Sequence, residues 1–527
     1  MKKRINVFVC AAVTLLMACA APRAEAQEKE LAMAVVRALD TRDSAVDTTV
    51  PAIAGAVTVR LADGASTVTT GGSAASVRID NRSNSITITA AGTYALSGTL
   101  SRGSVVVDVD GNVNLILNGV NISSADGAPL ALFGKQKKVI TLAAGTQNTL
   151  TDAATYTRFY KDDEPNGALF SKNALTINGT GALTVTGRFN NGISCKDDLR
   201  IMSGNITVTA KNNAVKGNNS LVVKGGTLGV SSAKDGIKSD SEKDGQGWVY
   251  IEQARLTITA AEDGIQGYNA VHIVSGTMTI NAGDDGVHAD KVLVIDGGTI
   301  TIPKSYEGLE AAKIVINGGD ITLTSSDDGI NAADGTGGDN FGGGRGAGPV
   351  PGGRGGRGGF AGGTPPAAPG GGMANSNCFI IIAGGKITVN AEGDGIDANG
   401  SALMTGGTLI VDGPVGRGNG ALDSDAGFTV KGGLILAAGA VGMAQTPSTA
   451  STQYSAALTF RQVKATGTRV VVQDAAGKTI ADYTFAKQFQ SLIISAPAFA
   501  RGGTYSVSVN GVKSSFTLGG LVTAVSI

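Results

Sequence analysis

The sequence predicts an all-β fold, a right-handed parallel β-helix (a solenoid with rungs of ~22 residues) closed by a C-terminal antiparallel β cap. Three observations predict it. A short phrase of an acid or amide, a glycine, an aliphatic, a polar and a small residue recurs at a near-constant step. Between recurrences, two stretches alternate around a Gly-Gly pair. The composition is rich in glycine (78 residues) and low in aromatic (5%) and charged (16%) residues, which suits thin repeated layers of Val, Ile, Ala and Thr.

The glycine slot marks the step. It holds Gly192, Ala214, Gly236, Gly264, Gly286, Gly308, Gly329 and Gly395, so successive positions differ by 22, 22, 28, 22, 22, 21 and 66. The step of 28 contains an extra polar turn, SEKDGQG at 241–247, and the step of 66 contains a Gly/Arg-rich run. One rung shows the internal order: Gly286-Val287-His288-Ala289, then Val292–Ile295, Gly297-Gly298 and Thr299–Ile302. Period-two alternation of Thr with Ile reads as strand and the glycine pair as a corner. Such short strands cannot bury an apolar face alone and must stack on the next copy.

Taken in order, residues 1–26 read as an export signal: Lys2, Lys3 and Arg4, an apolar stretch, and Ala24-Glu25-Ala26 as a cleavage site. A rival reading takes Leu16–Cys19 as a lipoprotein box, with a lipid anchor at Cys19. Residues 27–56 read as a linker or N-terminal segment. Residues 57–444 carry the repeats, interrupted by a Gly/Arg-rich insert at 334–377 that has too few apolar residues to bury and is expected to be disordered. Residues 445–527 lose the step, and runs such as 469–485 and 502–511 read as hairpins capping the last edge. No other apolar run approaches the ~20 residues of a membrane span. Without residues 1–26 the chain has 39 basic and 42 acidic residues, a net charge near −3, which gives no sign of a nucleic-acid partner. The chain is expected to be secreted, periplasmic or at the cell surface, and monomeric.

Stacking turns equivalent residues into columns about 4.8 Å apart. The slot before the glycine gives Asn191, Asn213, Asp235, Asp263, Asp285, Glu307, Asp328 and Asp394. Two places after the glycine come Ser194, Lys216, Lys238, Gln266, His288, Glu310, Asn331 and Asp397, expected to point outward. Corner chemistry alone, in which Asp-Gly makes a cheap tight turn, accounts for the amides. It does not account for the doubled charge of Glu262-Asp263, Asp284-Asp285 and Asp327-Asp328, since like charges on successive rungs repel. A hard cation removes the repulsion, and calcium accepts irregular sets of oxygens. The expected clusters are Asp263/Asp284/Asp285, Glu307/Asp327/Asp328 and Asp394/Asp397, with Asp235 in the same column. Zinc lacks ligands, because His272 and His288 are the chain's two histidines. Lys238, His288, Tyr268 and Tyr306 are candidate ligand-binding residues, with Trp248 near the same edge. The rings either stack on sugars or merely cover rung corners. Cys195 falls in a small inward slot, and no bridge to Cys378 is expected.

The phrases ITITAAGTYALSGTL, LILNGVNISSADGAPL, ITLAAGTQNTLTD and LTINGTGALTVTGRFNNGISCKDDLRIMSG resemble a family of secreted bacterial carbohydrate-binding proteins. The resemblance runs over roughly residues 57–527 apart from the insert. It implies a calcium-containing right-handed parallel β-helix, distantly similar to pectate lyases, that binds acidic plant polysaccharide such as polygalacturonate and also cellulose. The Gly/Arg-rich insert departs from that pattern. Three functions stay open at this level: non-catalytic binding of acidic or plant cell-wall polysaccharide with calcium; a calcium-dependent polysaccharide lyase with Lys238 or Lys216 as base (Lys291 a further candidate); and a structural spacer or adhesin.

Overall fold

The alternating Thr/Ile stretches form short strands that pair, one repeat to the next, into three parallel ladders. The structure is a computed structural model, and it describes residues 29–30, 32–37, 51–69, 76–160, 164–334 and 374–527. The expected export signal and nearly all of the Gly/Arg-rich insert lie outside the described residues.

The first ladder carries the recurrent phrase. Its strands run Asn191–Cys195, Val215–Gly217, Ile237–Ser239, Ile265–Gly267, the start of Val287–Ile295, the start of Leu309–Ile316, Ile330–Ala332 and Ile396–Ala398, all parallel. Register is in step throughout: Ile193 lies beside Val215, then Ile237, Ile265, Val287, Leu309, Ile330 and Ile396, each 0% exposed. The second ladder contains Ser220–Val223, Trp248–Ile251 and Ala270–Ile273; the third contains Thr227–Ser232, Ala254–Ala260 and Gly276–Asn281. Their inward residues (Leu221, Val249 and Val271; Leu228, Leu256 and Met278) meet the first ladder's aliphatic column in one continuous core. The weaker copies upstream continue the ladders in parallel, as in Gly92–Leu100 beside Val113–Ser123.

The recurrent glycine is there for a different reason than a turn. None of Gly192, Gly236, Gly264, Gly286, Gly308, Gly329 or Gly395 has a positive φ. Each instead lacks room for a side chain. A Cβ on Gly286 would sit 2.6 Å from the Gly308 carbonyl oxygen and 2.7 Å from Ile302 Cδ1, and one on Gly264 would sit 2.2 Å from Ile280 Cγ2. The slot is where the first ladder presses on the aliphatic side chains of the third. Alanine occupies it at 214 and 421, and in the latter repeat the third ladder presents the small Ala437. The positive φ is found at the Gly-Gly corners, for example +97° at Gly298 and +77° at Gly226.

Two features depart from the expected linker and from simple stacking. Within 27–56, residues 29–30 and 32–37 are helical, and Ala32 and Val36, four apart and so on one face, are fully buried. They pack with Val222, Trp248, Tyr250, Val294, Phe379 and Ile381 on the outward side of the second ladder, which is itself apolar and needs a cover. At the other end Leu434–Gly439 pairs antiparallel with Phe489–Ser495, which pairs antiparallel with Ser455–Lys464. A separate antiparallel sheet of Thr479–Thr484, Arg469–Asp474, Thr504–Val509 and Val512–Thr517 follows, around an aromatic core of Phe460, Phe485, Phe489, Phe499, Tyr505 and Phe516. Cys195 and Cys378 are buried, free thiols.

The crowded slot makes a stability prediction. Gly286→Ala is expected to cost about 1–3 kcal/mol, the range for overpacking a closed site. Gly229→Ala, where nothing lies within 4 Å of the added Cβ, is expected to be neutral or to stabilise by up to about 1 kcal/mol. Urea denaturation of the two variants beside the parent checks both.

Candidate functional site

The register that stacks the aliphatic residues also stacks the polar ones on either side of them. The residue before the glycine staples one repeat to the next through its side chain. Asn213 Oδ1 accepts the Asp235 N–H (3.2 Å), Asp235 Oδ1 the Asp263 N–H (3.3 Å), and Asp263 Oδ1 the Asp285 N–H (3.1 Å). The pattern resumes at Asp328 Oδ1, which accepts the Asp394 N–H (2.6 Å), and Asp394 accepts from Gly420. One carboxylate oxygen of each Asp is thereby committed to the fold, and the other is left to face its surroundings.

The second column runs in register through Phe170, Ser194, Lys216, Lys238, Gln266, His288, Glu310, Asn331 and Asp397. Its members are half-buried rather than fully outward, and Phe170, Ser194 and Asn331 are buried. Lys238 Nζ lies 2.6 Å from Asp235 Oδ2, and Lys216 pairs with Asp240. His288 holds three carboxylates: its Nδ1 is 3.0 Å from Asp285 Oδ2 and 2.5 Å from Glu310 Oε2, and its Nε2 is 3.1 Å from Asp290 Oδ1. Burial alone would depress the imidazole, but these hydrogen bonds outweigh it and raise the pKa well above the ordinary value, so His288 is an imidazolium donating from both nitrogens.

Three sets of possible ligand atoms converge to within 4.8 Å: Asp263/Asp284/Asp285, Asp285/His288/Glu310, and Asp328/Asp394/Asp397. The first was expected, and the third joins the expected Asp394/Asp397 pair to Asp328. The expected grouping of Glu307 with Asp327 and Asp328 is not among the convergent sets of the described residues. Glu307 Oε2 instead accepts the Asn331 amide at 3.0 Å, and burial, then Glu310 and Asp285, push its pKa up to about 10. Asp327 Oδ1 and Asp328 Oδ1 crowd the space above Gly393, 2.5 and 2.3 Å from where its Cβ would stand. Burial is also the largest cause at the third cluster, ahead of the neighbouring carboxylates. It pushes Asp328 and Asp394 up to about 7 and Asp397 up to about 8. The neighbouring charges that raise those three values most are all carboxylates. At the first cluster, burial opposed by His288 leaves Asp263 at about 7, and burial takes Asp285 to about 8.

Asp423 and Asp425, which add to the charge felt by Asp397, escaped the sequence reading. Asp423 belongs to Gly420-Ala421-Leu422-Asp423-Ser424, which Asp425 follows, a repeat with alanine in the glycine slot, confirmed by the Ala398 N–H bonding the Asp423 carbonyl at 3.2 Å. Searching on Asp-Gly passes over it; searching on aliphatic-polar-small would find it. Among the aromatic candidates, Trp248 is 3% exposed and lies under the N-terminal helix, so it offers no stacking face. Lys291 Nζ sits 5.4 Å from the Tyr268 ring centroid, and Tyr306 remains 39% exposed, with a hydrogen bond to Asp327 raising its hydroxyl pKa.

Residues 81–329 match the family described as carbohydrate-binding domain-containing protein. A carbohydrate-binding domain-containing protein from Acetivibrio thermocellus is 42% identical over 128 residues, 24% of this chain, and the match spans 45% of that relative's length. A solved polysaccharide lyase-like protein from C. thermocellum, a gadolinium derivative, is 34% identical, with 46% of this chain and 96% of that one covered and a TM-score of 0.43. Among the described residues, no helix is long and apolar enough to cross a membrane.

The raised carboxyl pKa values predict how the metal-free protein responds to pH. An Asp with an ordinary value of 3.8 that rises to about 7 or 8 on folding binds more protons folded than unfolded between those limits. Stability therefore falls as pH rises from about 4 to about 8. Calorimetric melting in chelator across this range is expected to show Tm declining, and a flat profile would count against the buried clusters.

Proposed function

We propose that this protein is a non-catalytic carbohydrate-binding protein that holds acidic polysaccharide along the face of the first ladder with the help of calcium. The observation that carries the reading is the Asp328/Asp394/Asp397 cluster, three carboxylates converging within 4.8 Å and each pushed up chiefly by burial. It lies on a chain whose residues 81–329 match a carbohydrate-binding family. Three ladders of short parallel strands with glycine corners support reading the architecture as a right-handed parallel β-helix, whose face repeats similar groups at a regular step, as a linear polymer does.

The donor set suits a hard cation. It is all oxygen at Asp328, Asp394 and Asp397, with Asp423 adding negative charge. The buried Asn331 Oδ1 has no hydrogen-bond partner and occupies the same column beside Asp397. Calcium takes six to eight such oxygens in flexible geometry. The Asp263/Asp284/Asp285 set would hold a second ion, with Asp235 next in the column, while Glu307 and Asp327 flank the two sets. Bound calcium would supply positive charge that neutralises the carboxylates and attracts those of a uronate. Lys238, His288, Tyr268 and Tyr306 then line the approach, His288 holding Asp285 and Glu310 in place.

Binding is favoured over elimination because both candidate bases are engaged: Lys216 by Asp240, and Lys238 by Asp235 at 2.6 Å. Lys291 lies against the Tyr268 ring. We also read residues 1–26 as carrying the chain out of the cytoplasm, with Cys19 as the alternative site of a lipid anchor.

The test is to incubate the protein with polygalacturonate and calcium, following both retention on the polymer and ultraviolet absorbance of unsaturated products. Retention without product is expected, and release of unsaturated sugar would overturn the binder in favour of the lyase. Calcium is also expected to raise Tm at pH 8. In Asp394→Asn/Asp397→Asn, with two of the three clustered carboxylates neutralised, that rise should shrink severalfold in calcium-titrated calorimetry.

A further inference from the structure

Upstream of the lysines, the first ladder's outward column turns apolar, with Phe170 in register before Ser194 and Ala131 before Phe170. A loop at 152–160 lies over this stretch and brings a group of rings with it. Tyr156 stacks on Phe189 at 4.2 Å between centroids, and Phe159 stands 5.9 Å from Tyr156. Tyr160 lies 5.1 Å from Phe133, which lies 5.5 Å from Phe170. The inner rings are the expected cover for an apolar face. Phe159 and Tyr160 go further: adjacent in sequence, they are 40% and 42% exposed.

The loop is held by a device that cover alone does not require. Asp152, 1% exposed, accepts the Tyr156 hydroxyl at 2.9 Å, the Arg188 N–H at 2.5 Å and the Phe189 N–H at 3.4 Å. Burying a carboxylate is costly unless its hydrogen bonds are met. Here they are met by the two stacked residues that support Phe159. Around the rings the described charge is mixed: Asp126, paired with Arg158 at 2.7 Å, and Asp108 bear on Tyr160, while the repeats that follow present bases. Arg188 and Lys211, on successive repeats, are exposed, and the Arg188 charge also bears on the buried Asp152. Lys172 and Lys196 share the single carboxylate of Glu164, at 2.8 and 3.8 Å. Residues 161–163 lie outside the described residues.

We propose that Phe159 and Tyr160 form a metal-independent subsite that stacks on the pyranose ring of a uronate, whose carboxylate is met by Arg188, Lys196 or Lys211. Exposed rings with exposed or half-buried cations on the neighbouring repeats match the two sides of such a sugar: apolar C–H groups on one side and a negative charge at the edge. The subsite rests on the carbohydrate-binding reading above and deepens it. Its residues fall inside the matched 81–329 region, and it lies at the opposite end of the column from the Asp328/Asp394/Asp397 cluster.

The experiment is affinity electrophoresis in gels containing polygalacturonate, with calcium and with chelator, on the full chain. The parent is expected to keep weaker but measurable retardation in chelator. Phe159→Leu/Tyr160→Leu, which keeps apolar cover and removes the rings, is expected to lose about tenfold of that residual affinity while its Tm and circular dichroism stay those of the parent. Phe159→Trp is expected to retain it. Equal retardation of the parent and the leucine variant in chelator overturns the subsite and leaves the calcium-dependent reading standing. So does retardation of the parent in calcium alone. A parent that is not retarded under either condition overturns the carbohydrate reading and the subsite with it.

Discussion

Everything distinctive about this protein follows from backbone hydrogen bonds that place each residue of a repeat beside its equivalent in the next. Ile237 beside Ile265 beside Val287 is a core; by the same bonds, Asp235 beside Asp263 beside Asp285 is a line of like charge. The fold cannot have the first without the second wherever the phrase recurs. Its answer is a division of labour within the carboxylate: Oδ1 of Asp235 and Asp263 accepts the next repeat's N–H, while Oδ2 of Asp235 meets Lys238. At Asp285 the second oxygen meets His288. A charge-assisted hydrogen bond to a backbone N–H is among the stronger kinds, so repulsion along the column is partly offset where it arises.

The columns were legible in the sequence because a constant step is a statement about register. Once the glycine slots are aligned, the pairing from Ser194 through Asp397 is the one the spacing implies, while the next repeat, with Ala421 in the slot, drops out of the alignment. The reason for the glycine was not legible. Asp-Gly has the same letters in a turn and in a crowded strand, and what distinguishes them is the side chain of Ile280 or Ile302 across the core, which lies in another ladder. Nor was the convergence of Asp328 with Asp394 and Asp397 plain, because the whole Gly/Arg-rich insert stands between two neighbouring repeats there. The helix around Ala32 and Val36 was missed for a related reason: its partner is the outward face of the second ladder, and the alternation that marks a buried inner face says nothing of an apolar outer one.

The aromatic loop illustrates a further limit. Tyr156, Phe159 and Tyr160 stand in a segment outside the repeat, and a reading built on the period treats what interrupts it as spacer. Their arrangement depends on Asp152 accepting from Arg188 and Phe189, which come from a later repeat. No local pattern carries that information, whereas the rings of Tyr268 and Tyr306, inside the ruler, were easy to single out.

The outward column itself changes character once along its length. It begins with Phe170, passes Lys216 and Lys238, and ends with Glu310, Asn331 and Asp397. His288 stands at the crossing, its imidazolium holding Asp285 on one side and Glu310 on the other. Because neighbours are about 4.8 Å apart, a random mixture of signs would give each cation a carboxylate and leave no net field anywhere along the face. Grouping the lysines before His288 and the acids after it leaves two different regions, one whose lysines are neutralised by Asp240 and Asp235 and one whose carboxylates need a cation. On the proposed reading, a linear polyanion laid along such a face would meet side-chain cations at one end and an ion-bridged carboxylate cluster at the other. The same register that creates the charge problem thereby sets the distance between its two solutions.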